Sequence, residues 1–459
     1  MRKIILCIAV LFAQLLSAQI TLIPFTPDIG FTQFTHAIDV YTNEIVAFSS
    51  YSHDLTQSRV FVFEKNGATI TQETYFTPSD MALNDNFGGS VSIDHDFIAA
   101  SSKYNDQVAS DAGAVYMYRK VAGNWTFFQK VTAADGAAND YFGGQVEVVG
   151  NQLLVFAPNN HPTGEPSTNK GTIYVYKFNG ATWSFFQKIT MIGTAGISGK
   201  FELDGNRMIL QSSDFKTYEY DGNNWNYSSS LAQPTTYNMD FKLDSNQLFV
   251  LHGDGFTSSM DVYDNVASNW SLNTTLTSLQ YIDKVATNFE VHNNLMLISL
   301  NFHALLYTAR TPTAIYRKIA GSWTFQEYVY GQGPTDRDDA FGTQMAITDD
   351  IVVLGAPYEY LPTAEGGRGY AVDLALGVNE NGVNTIELYP NPTANEILLT
   401  GSLSYNIKTI DIFQFDGKLI KTIEYSQNPI SLNEFQNGVY LLKFTMNNGS
   451  STTKKIVKI

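Results

Sequence analysis

The sequence predicts an all-β protein, a seven-bladed β-propeller followed by a small C-terminal β-sandwich, and three observations carry that prediction. A tight polar turn between two apolar runs recurs seven times. An Asp-x-Phe-Gly step precedes three of those runs, as Asp85-Asn86-Phe87-Gly88, Asp140-Tyr141-Phe142-Gly143 and Asp339-Ala340-Phe341-Gly342. The first two steps are 55 residues apart, the length of one four-stranded blade. Beyond Gly377 both patterns stop and another β-rich pattern begins.

In chain order, residues 1–18 read as a secretory signal peptide. Arg2 and Lys3 form a positive start, Ile4 to Leu16 is apolar, and Ser17-Ala18 supplies small residues before a cleavage at Gln19. The apolar run is shorter than the roughly 20 residues that span a bilayer, so no transmembrane segment is expected. Cys7, the single cysteine, leaves with this peptide, and the mature chain is expected to have neither disulfide nor thiolate site.

Residues 19–376 are assigned to the propeller. The turns stand at Thr42-Asn43, Asp94-His95-Asp96, Gly150-Asn151, Asp204-Gly205-Asn206, Asp244-Ser245-Asn246, His292-Asn293-Asn294 and Asp349-Asp350. Asn, Asp and Gly tolerate the positive φ of tight hairpins, so each marks a hairpin tip. An alternating strand precedes each tip, as in Gln145 to Val148, and a continuous apolar strand follows, as in Leu153 to Phe156. Such a continuous run suits a strand buried on both faces. A third, aromatic strand comes next, then a fourth headed by tryptophan at Trp125, Trp183, Trp225, Trp270 and Trp323. An aromatic recurring once per repeat is expected to pack the blades. The seventh repeat lacks a fourth strand, whereas Ile20 to Phe25 is a strand without a partner. Giving one to the other closes the ring and removes two sheet edges.

With Phe87-Gly88, Phe142-Gly143, Phe341-Gly342, Gly355-Ala356-Pro357 and Phe156-Ala157-Pro158 in place, residues 30 to 375 resemble FG-GAP repeats of the integrin α-chain type. Many members of that family bind calcium in a nine-residue acidic loop between the first and second strands. The turns here hold two or three residues, too few for a cage of six or more oxygens, so neither metal nor cofactor is expected.

Residues 377–384 read as a polar linker and 385–459 as a separate β-domain. Tyr389-Pro390-Asn391-Pro392, the Asp416-Gly417-Lys418 hairpin, the Gly438-Val439-Tyr440-Leu441-Leu442-Lys443 strand and a basic terminus, Lys454 to Ile459, occur in order. This tail resembles the C-terminal sorting domain of proteins exported by the type IX secretion system of Bacteroidetes. The resemblance implies Sec-type export through the periplasm, then transfer to the outer surface or the medium, with the secretion machinery as partner.

Formal charge is −16, and −18 without Arg2 and Lys3. The tail balances six acids against seven lysines, so the acidity lies in the first part. Such a surface repels nucleic acid and keeps a secreted protein soluble. The seven histidines are scattered without metal-ligand spacing, and no nucleophile-elbow, Walker or dinucleotide pattern is present. Gly88-Gly89 and Gly143-Gly144 read as backbone devices, and Asp85, Asp140 and Asp339 as groups that hydrogen-bond their own loops.

In a four-stranded blade the 2–3 and 4–1 connections share one face. Here that face carries the long loops Ser101 to Ala112, Pro158 to Lys170 and Pro357 to Arg368. Loops of this length on a rigid scaffold are where recognition sits, which makes Tyr104, Asp106, His161, Glu165, Tyr358, Tyr360 and Glu365 the candidate ligand-binding residues. The expectation is a non-enzymatic binding or adhesion protein with an extracellular protein or glycan as ligand. The alternative is a polysaccharide hydrolase or lyase, which requires carboxylates converging near the ring axis.

Overall fold

The structure is a computed structural model. It describes residues 22–28, 34–49, 58–160 apart from 83, 171–190, 200–302 apart from 235–236, 255–256, 278 and 282–283, 312–333 apart from 320, and 339–373 apart from 362–363. In the tail it describes 387–389, 393, 395–400, 407–414, 418–424, 430–446 and 451–458. The signal peptide, the linker, Pro390-Asn391-Pro392 and Asp416-Gly417 lie outside these residues. The chain divides into two compact units, Ile20–Ala375 and one that takes in Leu376–Ile459. Among the described residues no helix is long and apolar enough to cross a membrane.

The first unit is a propeller-like array of antiparallel sheets. Sheet one consists of Ile38–Tyr41, Glu44–Ser49, Arg59–Asn66 and Thr69–Phe76, paired in chain order. Sheets two to five repeat that order from first strands at Phe87–Asp94, Gln145–Val149, Phe201–Asp204 and Tyr237–Asp244. Sheet six follows it from Lys284–His292, with the short Gln280–Tyr281 paired ahead. Sheet seven is made of Met345–Ile347, Ile351–Ala356 and Arg368–Asp373, completed by the N-terminal Ile23–Phe25. The closure expected from the orphan strand is therefore present, in the register Ile23↔Ala371 and Phe25↔Gly369. Gly369 is required there, since a Cβ would stand 2.2 Å from the Phe25 ring.

The sequence pattern sets this packing. Phe97–Ser102, Gln152–Ala157 and Ile351–Ala356 are buried at every residue, as continuous apolar second strands should be. Each apolar cluster joins two sheets that are neighbours in order: Val46, Val60 and Val62 of sheet one pack with Ile98, Ala100 and Tyr116 of sheet two. The seventh sheet meets the first in the same way, through Phe25, Val353 and Ala371 against Ile45, Phe61 and Phe63. Trp125, Trp183 and Trp225 are buried in these clusters, and Trp270 and Trp323 pack against them, so the tryptophan series does pack the blades. At the tips, Thr42, His95, Gly150, Gly205, Ser245 and Asn293 adopt φ between 50° and 56°, the left-handed backbone that the polar turn residues predicted.

The tail packs a three-stranded sheet (Glu387–Tyr389, Glu396–Thr400, Ile430–Ser431) against a four-stranded one (Leu419–Glu424, Ile407–Gln414, Gly438–Met446, Ser451–Lys458). Ile397 and Ile430 of the first share a core with Ile410, Ile412, Leu442, Phe444 and Ile456 of the second. Of the sorting-motif residues, Gly438, Tyr440 and Lys443 lie on one strand. Tyr440 is buried, its ring tilted against Phe435 with centroids 5.6 Å apart and its hydroxyl donating to the Gln436 carbonyl at 2.7 Å, and Lys443 is exposed. The Lys418 carbonyl accepts from the Gln414 N–H at 2.9 Å and closes the hairpin. Tyr389 lies on Glu387–Tyr389, paired with Leu398.

Candidate functional site: the loop face and the interior ring

Three copies of one device build the loop face. Asp85, Asp140 and Asp339 are all buried. The Asp85 carboxylate accepts from the Ala82 N–H at 3.1 Å and the Asn105 amide at 2.9 Å, and Asp140 accepts from the Ala137 N–H at 2.8 Å and the Asn160 amide at 2.7 Å. Asp339 accepts from the Phe341 N–H at 3.2 Å. The carbonyls of the three aspartates accept from the N–H groups of Tyr104, Asn159 and Tyr358, each at 3.3 Å, and so fix the start of each long loop alike. The phenylalanines of the steps are fully buried and stand edge-on to Tyr116, Tyr174 and Tyr370, with centroids 5.3 to 5.5 Å apart. Those tyrosines donate in turn to Asp80, Asp135 and Glu359. Gly88, Gly143 and Gly342 take φ from 76° to 97°, which an L side chain would resist. The aspartates thus anchor their own loops, as the sequence indicated.

On this frame the candidate residues separate. Tyr104 is half-buried, edge-on to Tyr141 at 5.4 Å, with the Lys103 ammonium 4.9 Å above its ring. Asp106 is exposed and accepts from the Asp111 N–H at 2.8 Å. Tyr358 is 54% exposed and edge-on to His36 at 5.5 Å. Tyr360 and Glu365 are paired across a short hairpin within the seventh sheet's loop. His161 and Glu165 lie outside the described residues. Burial lowers the pKa of His36, so this imidazole is neutral at pH 7. Sequence reading missed Tyr141, Lys103 and His36. An aromatic in the variable place of the Asp-x-Phe-Gly step was the available signal for Tyr141. Among the described residues, no group of three or more His, Cys, Asp or Glu side chains is placed to hold a metal ion.

A model described as FG-GAP repeat matches residues 70–118 and 125–176, and one described as secretion system C-terminal sorting domain matches 387–459. The chain carries FG-GAP repeats and a C-terminal sorting domain. That domain directs export by the type IX secretion system to the cell surface or extracellular space. No curated protein matches the chain. Among solved structures, the computationally designed Ika8 protein aligns at 11% identity with TM-score 0.41, covering 95% of this chain and 98% of its own. Saccharomyces cerevisiae Sqt1 aligns at 8% identity with TM-score 0.43, covering 96% and 99%.

The FG-GAP sheets and their degenerate neighbours also converge on an interior ring of charge that no motif announced. Asp39, Ser92, Glu147, Glu202, Lys242, Glu290 and Ala346 occupy the same register position of the seven first strands, each paired with the second-strand residue seven places later. Successive first strands are stitched together by side chains: Asp39 accepts from the Ile93 N–H at 2.8 Å, Ser92 from Val148 at 3.1 Å, and Gln145 bonds both backbone groups of Phe201. Glu202 lies 2.9 Å from the Lys200 ammonium and 3.3 Å from that of Lys242, which also holds Glu290. Burial would raise the Glu202 pKa, but Lys200 and Lys242 outweigh it and hold this carboxyl below its ordinary value. Burial pushes Asp39 up to about 6. Glu147 is driven well above the carboxylate range, by burial first and then by Asp39 and Glu202, and Glu290 is raised by burial against the pull of Lys242.

Raised carboxyl pKa values mean that the folded chain holds protons more tightly than the unfolded one. The stability these groups provide is complete below about pH 4 and is lost as pH rises through the folded values. Glu202 works in the opposite sense, and its contribution disappears on acidification. The full chain should therefore melt highest in mild acid and at lower temperature by pH 8. Glu147→Gln should stabilise it at pH 8 and change little at pH 5. Thermal melts across this range check it, and an E147Q chain no more stable than the parent at pH 8 would contradict the protonated carboxyl.

Proposed function

We propose that the chain is an extracellular, non-enzymatic binding or adhesion protein whose recognition face is the loop face. The observation that carries this reading is the threefold anchor: Asp85, Asp140 and Asp339 hold the starts of three long loops from buried positions, with Tyr104 and Tyr358 partly exposed there. Rigid loops bind with less ordering cost, since fewer rotamers are lost on contact. The acidic charge of the unit favours basic or neutral partners over nucleic acid.

A second reading, turnover of a polysaccharide, is favoured by one observation. Glu147 and Glu202 belong to one interior ring and their pKa values are pushed in opposite directions, the pattern of an acid–base pair. Against it, Glu202 and Glu290 are already neutralised by lysines, and Asp39 accepts from the N–H groups of Val40 and Ile93.

Purified full-length chain, presented with arrays of extracellular-matrix proteins and polysaccharides, separates the two. Binding reduced about tenfold or more by Tyr104→Ala with Tyr358→Ala, a loss of about 1.4 kcal/mol or more, and with no product released, agrees with the loop face. Release of product from any polymer, abolished by Glu202→Gln, would establish the enzyme instead.

A further inference from the structure

The outer strands of sheets two to six expose a large apolar side chain at one repeated position. Two residues after each tryptophan stand Phe127 (58% exposed), Phe185 (57%), Tyr227 (57%), Leu272 (55%) and Phe325 (40%). A single exposed hydrophobe needs no explanation, but five at one register position do. Each is paired with a third-strand tyrosine, namely Tyr118, Tyr176, Tyr218, Tyr263 and Tyr316, and a β-bulge falls at that pair in all five sheets. Bulges re-aim side chains. The four aromatic rings are held edge-to-face against their tyrosines with centroids 5.6 to 6.0 Å apart and interplanar angles of 72° to 81°. Folding does not require a ring there, because sheet one makes the same strand and the same bulge with Gln72 opposite Phe63.

We infer that these rings are a multivalent binding belt for an uncharged glycan. The neighbours before them, Thr126, Ser184, Asn226, Ser271 and Thr324, are exposed hydroxyl or amide side chains, and the residues after them are uncharged as well. Lys130 and Lys188, further along two of these strands, are held by Asp80 and Asp135 at 2.7 Å. Arg119, Lys177, Glu219, Asp264 and Arg317 stand across the ladder from those neighbours, and the net negative charge of the unit disfavours an anionic polymer. A rigid, exposed aromatic ring matches the apolar face of a sugar. Repetition around the sheets turns one weak stacking contact into avidity for a polymer.

Affinity electrophoresis of the full chain in native gels cast with a β-glucan, a galactomannan or dextran tests this, with polygalacturonate as the charged counterpart. The expected result is retardation by at least one neutral polysaccharide and none by polygalacturonate. Phe127→Gln, Phe185→Gln, Tyr227→Gln and Phe325→Gln together should abolish the retardation, Gln being the residue sheet one already tolerates. Phe185→Tyr should keep it, and unchanged melting temperatures would show that the variants fold. The belt is independent of the loop face, so Tyr104→Ala and Tyr358→Ala should leave the retardation as it was. No retardation by any of the three neutral polymers, or a fourfold variant retarded as strongly as the parent, would overturn the inference.

Discussion

Deleting residues 19–26 lowers the melting temperature of the first unit further than any other change proposed for it. The deletion removes Ile23–Phe25, the strand that completes sheet seven. Phe25 is 5% exposed, edge-on to Phe34 at 5.8 Å and to Phe63 at 5.0 Å, so its ring belongs to the core that joins sheet seven to sheet one. Loss of a buried phenylalanine side chain alone costs about 3–5 kcal/mol. The deletion also strips ladder partners from Arg368–Asp373 and leaves that strand as an open edge. Phe25→Ala should reproduce a large part of the loss and Pro24→Ala little of it. Thermal unfolding of the three variants checks this, and an unchanged midpoint for the deletion would show that the strand does not close the array.

Ending the chain at Gly377 should have the opposite profile, with negligible effect on the first unit's stability and complete loss of export. The sorting domain has a core of its own, built from Ile397, Ile407, Ile410, Ile412, Ile430, Leu432, Tyr440, Leu442, Phe444 and Ile456, all within the tail. A unit with its own core retains its fold when its neighbour is removed. The melting temperature of the truncated chain should lie within about 2 °C of the first transition of the full chain, a shift worth under about 1 kcal/mol for a unit of this size. A drop of many degrees would mean that the tail stabilises the sheets.

Much of the fold was legible because each strand announces its own environment. Continuous runs such as Leu153 to Phe156 could only be buried on both faces, and Gly150-Asn151 could only turn. The orphan Ile20 to Phe25 pointed to ring closure because its partner's sheet lacked a strand. The aspartate anchors were legible in role but not in partner, since Asn105 and Asn160 stand 20 residues on, in loops that carry no pattern. The interior ring was invisible for a different reason. One polar residue in most of the alternating strands, as at Glu147 or Glu290, looks like any solvent-facing position until the first strands bring those positions together. The exposed rings after each tryptophan were equally hidden, because a Trp-x-Phe strand reads as buried unless a bulge turns it, and bulges leave no mark in composition.

The central claim is that the first unit acts outside the cell because the sorting domain takes it there. The full chain and a chain ending at Gly377 should be expressed in a host that has the exporter, and intact cells then treated with protease. The full chain should be found in the medium or be cleaved at the surface. The shortened one should be protected and recovered folded from the periplasm, provided that residues 1–18 act as the signal peptide their sequence describes. Surface cleavage or release of the shortened chain at the level of the full one would contradict the claim.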